Sequence, residues 1–272
     1  MTETVVITGA SQGIGKATTQ LFASKGYNVV LAARQADRLQ KLAQEIESKG
    51  TAALAVPTDV RDPEQVNNLV EKAIAHFGSI DILINNAGVY LLGPVEEFSL
   101  DDWHTSIDTN LWGYIHTIHA ILPHFLTRKK GTIVNVGSIG GKVPIPYQTP
   151  YTTSKYAVTG LTEALHAELT PKGIQVCGIH PNFIKTDLME RAIFRGKNQE
   201  DFQQRHDFVE NAVESPFLES PEKVAQAILD AVQHKKSDVL VGSAKVSNAS
   251  YKLFPDFMQW VFRRAFAMKD TV

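Results

Sequence analysis

Short apolar runs alternate along the chain with longer segments that have the spacing of helices. The runs are rich in β-branched residues and lie at 4–8, 29–33, 52–56, 80–84, 131–136 and 175–179. A strand without a polar face must be covered on both sides, as in parallel sheets flanked by helices. Strands that alternate with helices predict a doubly wound α/β sheet. We therefore expect one domain over residues 1–272, built on a parallel sheet with helices on both faces.

Composition and charge exclude several classes of protein. The chain has 272 residues, and 43% of them are hydrophobic, which suits one large buried core. The formal net charge is -2, whereas a general nucleic-acid binder would be basic, so we expect no nucleic-acid partner. Cys177 is the single cysteine, and the N-terminus does not resemble a signal peptide. With no apolar run long enough to span a bilayer, these features predict a cytoplasmic protein.

A glycine-rich turn follows the first strand and precedes a helical segment. Main-chain N–H groups at a helix N-terminus favour a bound phosphate, and glycines let a ligand approach the backbone. The same kind of turn can also serve only to connect a strand to a helix. The candidate cofactor-binding residues here are Gly9, Ser11, Gln12, Gly13, Ile14 and Gly15.

Tyr151 and Lys155 lie four residues apart in a helical stretch, which places both side chains on one face. A phenol with a pKa of ~10 is a poor base at neutral pH, but a neighbouring ammonium lowers that pKa. We therefore expect Tyr151 to act as a general acid or base. Ser138 follows the strand at 131–136, where a parallel sheet places ligands, and its hydroxyl could hold a substrate oxygen. The alternatives are an ordinary helix pair and a serine that caps a turn.

Five elements occur in this order in the sequence: Thr8-Gly9-x-x-x-Gly13-Ile14-Gly15, Asn85-Asn86-Ala87-Gly88, Asn110, Ser138 and Tyr151-x-x-x-Lys155. Together they resemble the short-chain dehydrogenase/reductase family. The resemblance implies a Rossmann-type fold, with the dinucleotide-binding and catalytic core at 4–187. It implies an oxidoreductase that transfers a hydride between a nicotinamide cofactor and a carbonyl or alcohol. It further implies a homodimer or homotetramer, and a catalytic set in which Asn110 holds a water beside the lysine.

The resemblance adds cofactor contacts after the third and fourth strands. It places Asn86 beside the cofactor, with Ala87 and Gly88 leaving room for the adenosine ribose. Asp59 and Val60 match the segment that flanks adenine in the family. Asp59 could equally be an N-cap or turn residue.

A later segment, 180–186, matches the family with one departure. Asn182 stands where the family has glycine, and asparagine tolerates left-handed backbone geometry better than most residues. The resemblance implies that Pro181, Ile184 and Thr186 belong to the cofactor site, together with Tyr151 and Lys155. Ile184 and Thr186 would meet the nicotinamide carboxamide and the phosphates.

The end of the second strand bears on the choice of cofactor. The strand ends Leu31-Ala32-Ala33-Arg34, without the acidic residue that binds the ribose 2′-OH in NAD enzymes of this fold. Arg34 would attract a 2′-phosphate, so the sequence predicts NADP(H) rather than NAD(H). Arg34 could also be a solvated surface charge. Gln12 stands where some NADP-preferring relatives carry a basic residue, which weakens the prediction without reversing it.

Two segments near the C-terminus depart from the strand–helix rhythm. Residues 188–219 are polar and lack strand signals, which predicts a substrate lid. Residues 254–269 predict an amphipathic helix whose apolar side could pack on its own subunit, form an oligomer contact or channel wall, or lie on a membrane surface. A hydrophobic substrate is suggested by Val89, Leu91, Leu92, Val143, Ile145 and Tyr147.

Other functions receive less support. His116 and His119 lie three residues apart without further clustered ligands, so we predict no metal site. Ser138 lacks the Gly-x-Ser-x-Gly context of a serine hydrolase. A nucleotide-sensing or scaffold protein that lost turnover is the alternative function. The presence of Asn110, Tyr151 and Lys155 with Ser138 argues against it.

Overall fold

The structure, a computed structural model, describes residues 2–184, 192–203, 207 and 219–267. Its strands are β1 (Thr4–Thr8), β2 (Asn28–Ala33), β3 (Ala53–Pro57), β4 (Ile82–Asn85), β5 (Leu91–Leu92), β6 (Gly131–Val136), β7 (Ile174–His180), β8 (Ile193–Phe194) and β9 (Asp238–Leu240). A seven-stranded parallel sheet has the order β3-β2-β1-β4-β6-β7-β9, and β5 pairs separately with β8.

Helices cover both faces of this sheet. They are α1 (Gly13–Ser24), α2 (Ala36–Glu47), α3 (Pro63–Phe77), α4 (Leu100–Ile107), α5 (Gly113–Arg128), α6 (Thr149–Leu169), α7 (Pro221–Gln233), α8 (Ala244–Leu253) and α9 (Pro255–Ala267). Because successive side chains of a strand point to opposite faces, Val5 and Ile7 pack with α1, α2 and α7, whereas Val6 packs with α3, α5 and α6. The predicted doubly wound α/β sheet is confirmed.

The strand order places the site. β1 lies between β2 and β4, so the chain runs outward in one direction from β1 and then in the other direction from β4. Ligands of open α/β sheets bind where the order reverses, beyond the carboxyl ends of the strands. The segments that follow β1, β2, β4 and β6 all reach this edge, and they contain the motifs found in the sequence.

Several predicted boundaries differ from the structure. The strand β9 was not predicted, because it has three residues and begins with the polar Asp238. The predicted lid at 188–219 is described only at 192–203, 207 and 219, and its other residues lie outside the described part. The predicted helix at 254–269 is α9, whose residues up to 267 are described. None of the helices within the described residues is long and apolar enough to span a membrane.

Candidate active site

A cavity of about 420 Å³ lies at the carboxyl edge of the sheet. It extends from the glycine turn to the start of α6 and contains most of the predicted site residues. Two predicted residues, Gly15 and Asn110, are not part of its lining, and Thr186 lies outside the described residues. The predicted residues that line the cavity are Gly9, Ser11, Gln12, Gly13, Ile14, Arg34, Asp59, Val60, Asn86, Ala87, Gly88, Ser138, Tyr151, Lys155, Pro181 and Ile184.

The glycine turn forms one end of this cavity. Gly9 has a φ of 67°, and a Cβ there would lie 2.9 Å from the Cα of Ala87. A Cβ on Gly15 would overlap the carbonyl oxygen of Gly9, so Gly15 allows α1 to pack closely against the turn. Among the described residues, no side chain caps α1 through its N-cap Gln12, and no acidic residue lies in its first turn. The N–H groups at this helix end are therefore suited to an anion.

Asn86 braces the glycine turn from the neighbouring strand. Its side-chain Nδ2 donates to the Thr8 carbonyl oxygen at 3.0 Å. In return, Thr8 Oγ1 accepts from the backbone N–H groups of Asn86 and Ala87, at 3.0 and 3.1 Å. The Asn86 amide thus holds the end of β1 against the end of β4, which fixes the floor of the cavity.

Ser138, Tyr151 and Lys155 meet at the other end. Tyr151 and Lys155 lie one turn apart on α6 and are both buried, and the Lys155 Nζ is 5.8 Å from the centre of the Tyr151 ring. The Lys155 Nζ donates to the Val136 carbonyl oxygen at 2.9 Å. Ser138 accepts from the Gly140 N–H at 3.1 Å and forms a side-chain hydrogen bond with Tyr151.

Burial controls the protonation of this pair. It raises the pKa of Tyr151, and the hydrogen bond with Ser138 offsets only part of that rise. Burial also lowers the pKa of Lys155 from 10.5 to about 7. The lowered pKa of Tyr151 that the sequence predicted is therefore wrong, because residue spacing does not reveal the cost of burying a charge. Lys155 can favour the phenolate only in its protonated form, which is partly populated near neutral pH.

Asn110 lies beside this group without lining the cavity. It is fully buried in a π-helical turn, Asp108–Trp112, between α4 and α5. Its Oδ1 accepts from the Val89 N–H at 2.8 Å, and its Nδ2 donates to the Val89 carbonyl oxygen and to Ser154 Oγ, both at 3.0 Å. Both amide protons are therefore used to hold the segment after β4 against α6. A Cβ on Gly88 would lie 3.1 Å from Asn110 Oδ1 and 3.9 Å from Lys155 Nζ.

Comparison with known proteins places this architecture in a family. A family model described as short chain dehydrogenase matches residues 3–195. The chain belongs to the short-chain dehydrogenase family. An uncharacterized oxidoreductase of Bacillus subtilis, YxnA, is 36% identical over 259 residues, which cover 93% of this chain and 69% of that protein.

Solved structures of other short-chain dehydrogenases share the fold. One from Burkholderia phymatum, in complex with NAD, has a TM-score of 0.86 at 28% identity and matches over 95% of both chains. Another from Sphingobium yanoikuyae, in complex with NADPH, has a TM-score of 0.75 at 28% identity, over 93% of this chain and 96% of that one. The family and the fold predicted from the sequence are both confirmed.

Two arginines of this short-chain dehydrogenase were missed in the sequence. Arg38 in α2 donates from Nη1 to the Gln12 side-chain oxygen at 2.9 Å, so it holds the glycine turn from outside. Arg61 donates to both carboxylate oxygens of Asp59, from Nε at 3.0 Å and from Nη2 at 2.6 Å. This pairing lowers the pKa of Asp59. It engages the Asp59 side chain in a local contact within the turn after β3. Only Arg61 had a local signal in the sequence, because it lies two residues after Asp59.

The segment after β7 accommodates Asn182, which stands where the family has glycine, without a left-handed turn. Asn182 is not among the non-glycine residues with positive φ, so its replacement of glycine requires no left-handed turn. Its Nδ2 donates instead to Ser243 Oγ at 2.9 Å. The Pro181 carbonyl oxygen accepts from the Ile139 N–H at 2.8 Å, which ties this segment to the loop that carries Ser138.

The end of the cavity near Tyr151 includes several apolar side chains. Of the six apolar residues predicted there, Val89 and Ile145 line the cavity. Leu91 and Leu92 form β5 and are buried. Val143 and Tyr147 pack in adjoining apolar clusters. The structure adds Tyr90, whose ring packs edge-on against Tyr151 with centroids 4.9 Å apart, and Phe183 and Ile193, which also line the cavity.

The remaining candidates lie away from the cavity. His116 Nδ1 is 2.9 Å from the Val60 carbonyl oxygen, and His119 is exposed. Among the described residues, no group of three or more His, Cys, Asp or Glu could hold a metal ion. Cys177 is buried in β7, and burial raises the pKa of its thiol to about 12.

Proposed function

We propose that this protein is an oxidoreductase that transfers a hydride between NADP(H) and a carbonyl or alcohol substrate. The observation that carries the proposal is the meeting of Ser138, Tyr151 and Lys155 at one end of a cavity whose other end is the glycine turn. An anion-binding turn and a buried acid–base group in one cavity suit a phosphorylated cofactor and a proton-coupled reaction. We expect the protein to work as a homodimer or homotetramer, as the resemblance implies.

The residues present fit a nicotinamide dinucleotide. The side chain of the N-cap residue Gln12 accepts no hydrogen bond from the amide groups at the start of α1, which suits a pyrophosphate. The close packing of Gly9 against Ala87 brings the backbone to the cavity floor, where side chains would block a ligand. Solved family members at 28% identity contain NAD or NADPH. When bound, the cofactor supplies or accepts the hydride.

The preference for NADP(H) is supported by charge at the end of β2. Arg34 is exposed and lines the cavity, so a 2′-phosphate could reach it. Arg61 and Asp59 also line this end, but they neutralise each other. One positive charge is therefore uncompensated in this part of the lining, which favours the phosphorylated cofactor.

Tyr151 handles the proton in the proposed reaction. In carbonyl reduction its hydroxyl donates a proton to the substrate oxygen, and in alcohol oxidation the phenolate accepts one. The Ser138 hydroxyl, which already interacts with Tyr151, would hydrogen-bond the same substrate oxygen. Protonated Lys155 stabilises the negative charge that forms on Tyr151 when the proton leaves. The apolar wall of Val89, Tyr90 and Ile145 suits a hydrophobic substrate.

The test compares wild type with Tyr151→Phe in an NADPH-oxidation assay with a panel of aromatic and aliphatic carbonyls. Loss of the general acid should reduce kcat about 10²- to 10⁴-fold. NADPH binding, measured by fluorescence, should persist because the ring still packs on Tyr90. Tyr156→Phe removes an exposed phenol from the same helix and should leave turnover unchanged. If neither wild type nor variant oxidises NADPH while both bind it, a nucleotide-sensing function replaces this proposal.

A further inference from the structure

The C-terminal helices expose a run of large apolar side chains. Leu253, Phe254, Phe257 and Trp260 are 71, 62, 60 and 48% exposed, and we call this set the aromatic face. The rings of Phe257 and Trp260 stack with centroids 5.9 Å apart. Exposed apolar residues that occur singly are ordinary, but a contiguous group of this size marks an interaction surface.

The helix α9, which carries Phe257 and Trp260, is fixed to the protein by its other side. Phe262 of α9 packs against an apolar cluster that includes Ile139, Val143 and Ile145. On a helix wheel, Phe262 lies about 140° from Phe257, so one side of α9 packs inward while the aromatic face points outward. Packing on its own subunit therefore accounts for Phe262, whereas the aromatic face stays exposed within the part of the chain that the structure describes. Ile139 and Ile145 also line the cavity, so α9 lies beside the proposed substrate end.

Basic residues accompany the aromatic face. Among residues 244–267, Lys245, Lys252, Arg263 and Arg264 are basic and Asp256 is acidic, so four positive charges and one negative give +3. The whole chain has a net charge of -2, so this segment differs in sign from the rest. The guanidinium carbon of Arg264 lies 5.3 Å from the centre of the Trp260 ring. Positive charge is thus placed directly beside the exposed aromatic rings.

We propose that the aromatic face binds the surface of an anionic lipid membrane. A helix with Trp and Phe on one side and Lys or Arg beside them lies in the plane of a bilayer interface, where its rings enter the headgroup region. A second copy of the chain fits less well. In a two-fold contact the same patch faces itself, which would bring Arg264 and its neighbours against like charges. Anionic headgroups supply the opposite charge.

Vesicle sedimentation of the full-length protein tests this proposal without any measurement of activity. The probes are vesicles of phosphatidylcholine alone and vesicles containing about one quarter phosphatidylserine. Wild type should sediment with the anionic vesicles, less with neutral ones, and less as salt is added. Phe257→Ser/Trp260→Ser should bind at least about tenfold more weakly. Arg263→Gln/Arg264→Gln should bind about fivefold more weakly for each arginine removed.

Control variants separate lipid binding from other causes. Trp112→Ser removes a 47%-exposed aromatic outside the aromatic face and should bind vesicles like wild type. NADPH binding and the melting temperature should be retained in the double variants, which shows that they fold. Wild type that fails to sediment with anionic vesicles would overturn the proposal. The proposal would also be overturned if Phe257→Ser/Trp260→Ser bound vesicles like wild type but formed a smaller oligomer by light scattering. A second copy of the chain would then be what covers the aromatic face in the wild type.

Discussion

Replacing Arg34 with aspartate should change the cofactor preference from NADPH towards NADH. The side chain lies at the end of β2, lines the cavity and is exposed. A carboxylate there would repel a 2′-phosphate and could accept a hydrogen bond from an unmodified ribose 2′-OH. Since Tyr151 and Lys155 lie at the opposite end of the cavity, the change should act on cofactor binding rather than on proton transfer.

The size of the effect follows from two contributions. Losing a charge-assisted hydrogen bond costs about 1.5 kcal/mol at the lower end of its range, which is appropriate for an exposed side chain. A new negative charge near the phosphate adds about 1 kcal/mol of repulsion in water. Together these are about 2.5 kcal/mol, or roughly a 70-fold fall in kcat/KM for NADPH relative to NADH. Arg34→Gln removes only the attraction and should give about a tenfold fall.

The assay is initial-rate kinetics with both cofactors and one carbonyl substrate at low and high salt. The difference between wild type and Arg34→Asp should shrink as salt is added, because the charges are exposed. Lys25→Asp makes the same change in net charge at the C-terminal end of α1, at a residue that does not line the cavity. That control should keep the wild-type preference. An unchanged NADPH/NADH ratio in Arg34→Asp would remove Arg34 from the explanation of cofactor choice.

Two further predictions concern titrating groups. With a Lys155 pKa of about 7, the positive charge beside Tyr151 is present below that pH and lost above it, so kcat for carbonyl reduction should fall as pH rises through 7. Lys155→Met should lower kcat and abolish this step in the pH profile, and an unchanged step would assign it to another group. Hydrogen bonding to His180 lowers the pKa of Asp238 to about 2, so its stabilisation is present above its ordinary pKa and is lost as pH falls towards 2. Asp238→Asn should therefore reduce the free energy of unfolding by about 1 kcal/mol at pH 7, measured by urea denaturation, with the difference vanishing near pH 2; a constant difference would contradict the assignment.

The sheet could be predicted because a strand that is buried on both faces consists of consecutive apolar residues. Val5, Val6 and Ile7 are consecutive apolar residues since neighbours in a strand face opposite layers of helices. The strand β9 lacks such a run of apolar residues. It is short, lies at the sheet edge and begins with Asp238, which pairs with His180 of β7. A strand that is held by strand pairing and by the contacts of Asp238 with His180 and Lys142 cannot be found from apolar periodicity.

The candidate site could be predicted where a motif is local and not where contacts join distant segments. The glycine turn and the Tyr151–Lys155 spacing are local, and the structure brings them to one cavity. The contact between Arg38 and Gln12 joins residues that are 26 positions apart, so neither residue indicates it alone. The role of Asn110 in holding the segment after β4 is likewise a tertiary contact.

In the proposed reaction, the surroundings of Lys155 allow a buried amine to assist Tyr151. Among the described residues, its Nζ contacts the Val136 carbonyl oxygen and the faces of the Tyr114 and Tyr151 rings, and no carboxylate forms an ion pair with it. A carboxylate partner would keep the amine charged at all times and would neutralise its field at Tyr151. Without that partner, burial disfavours a charge on either group alone, and each charge is best tolerated beside the other. Negative charge on the Tyr151 oxygen is therefore stabilised most when Lys155 is protonated, which couples proton transfer at the phenol to the charge of the amine.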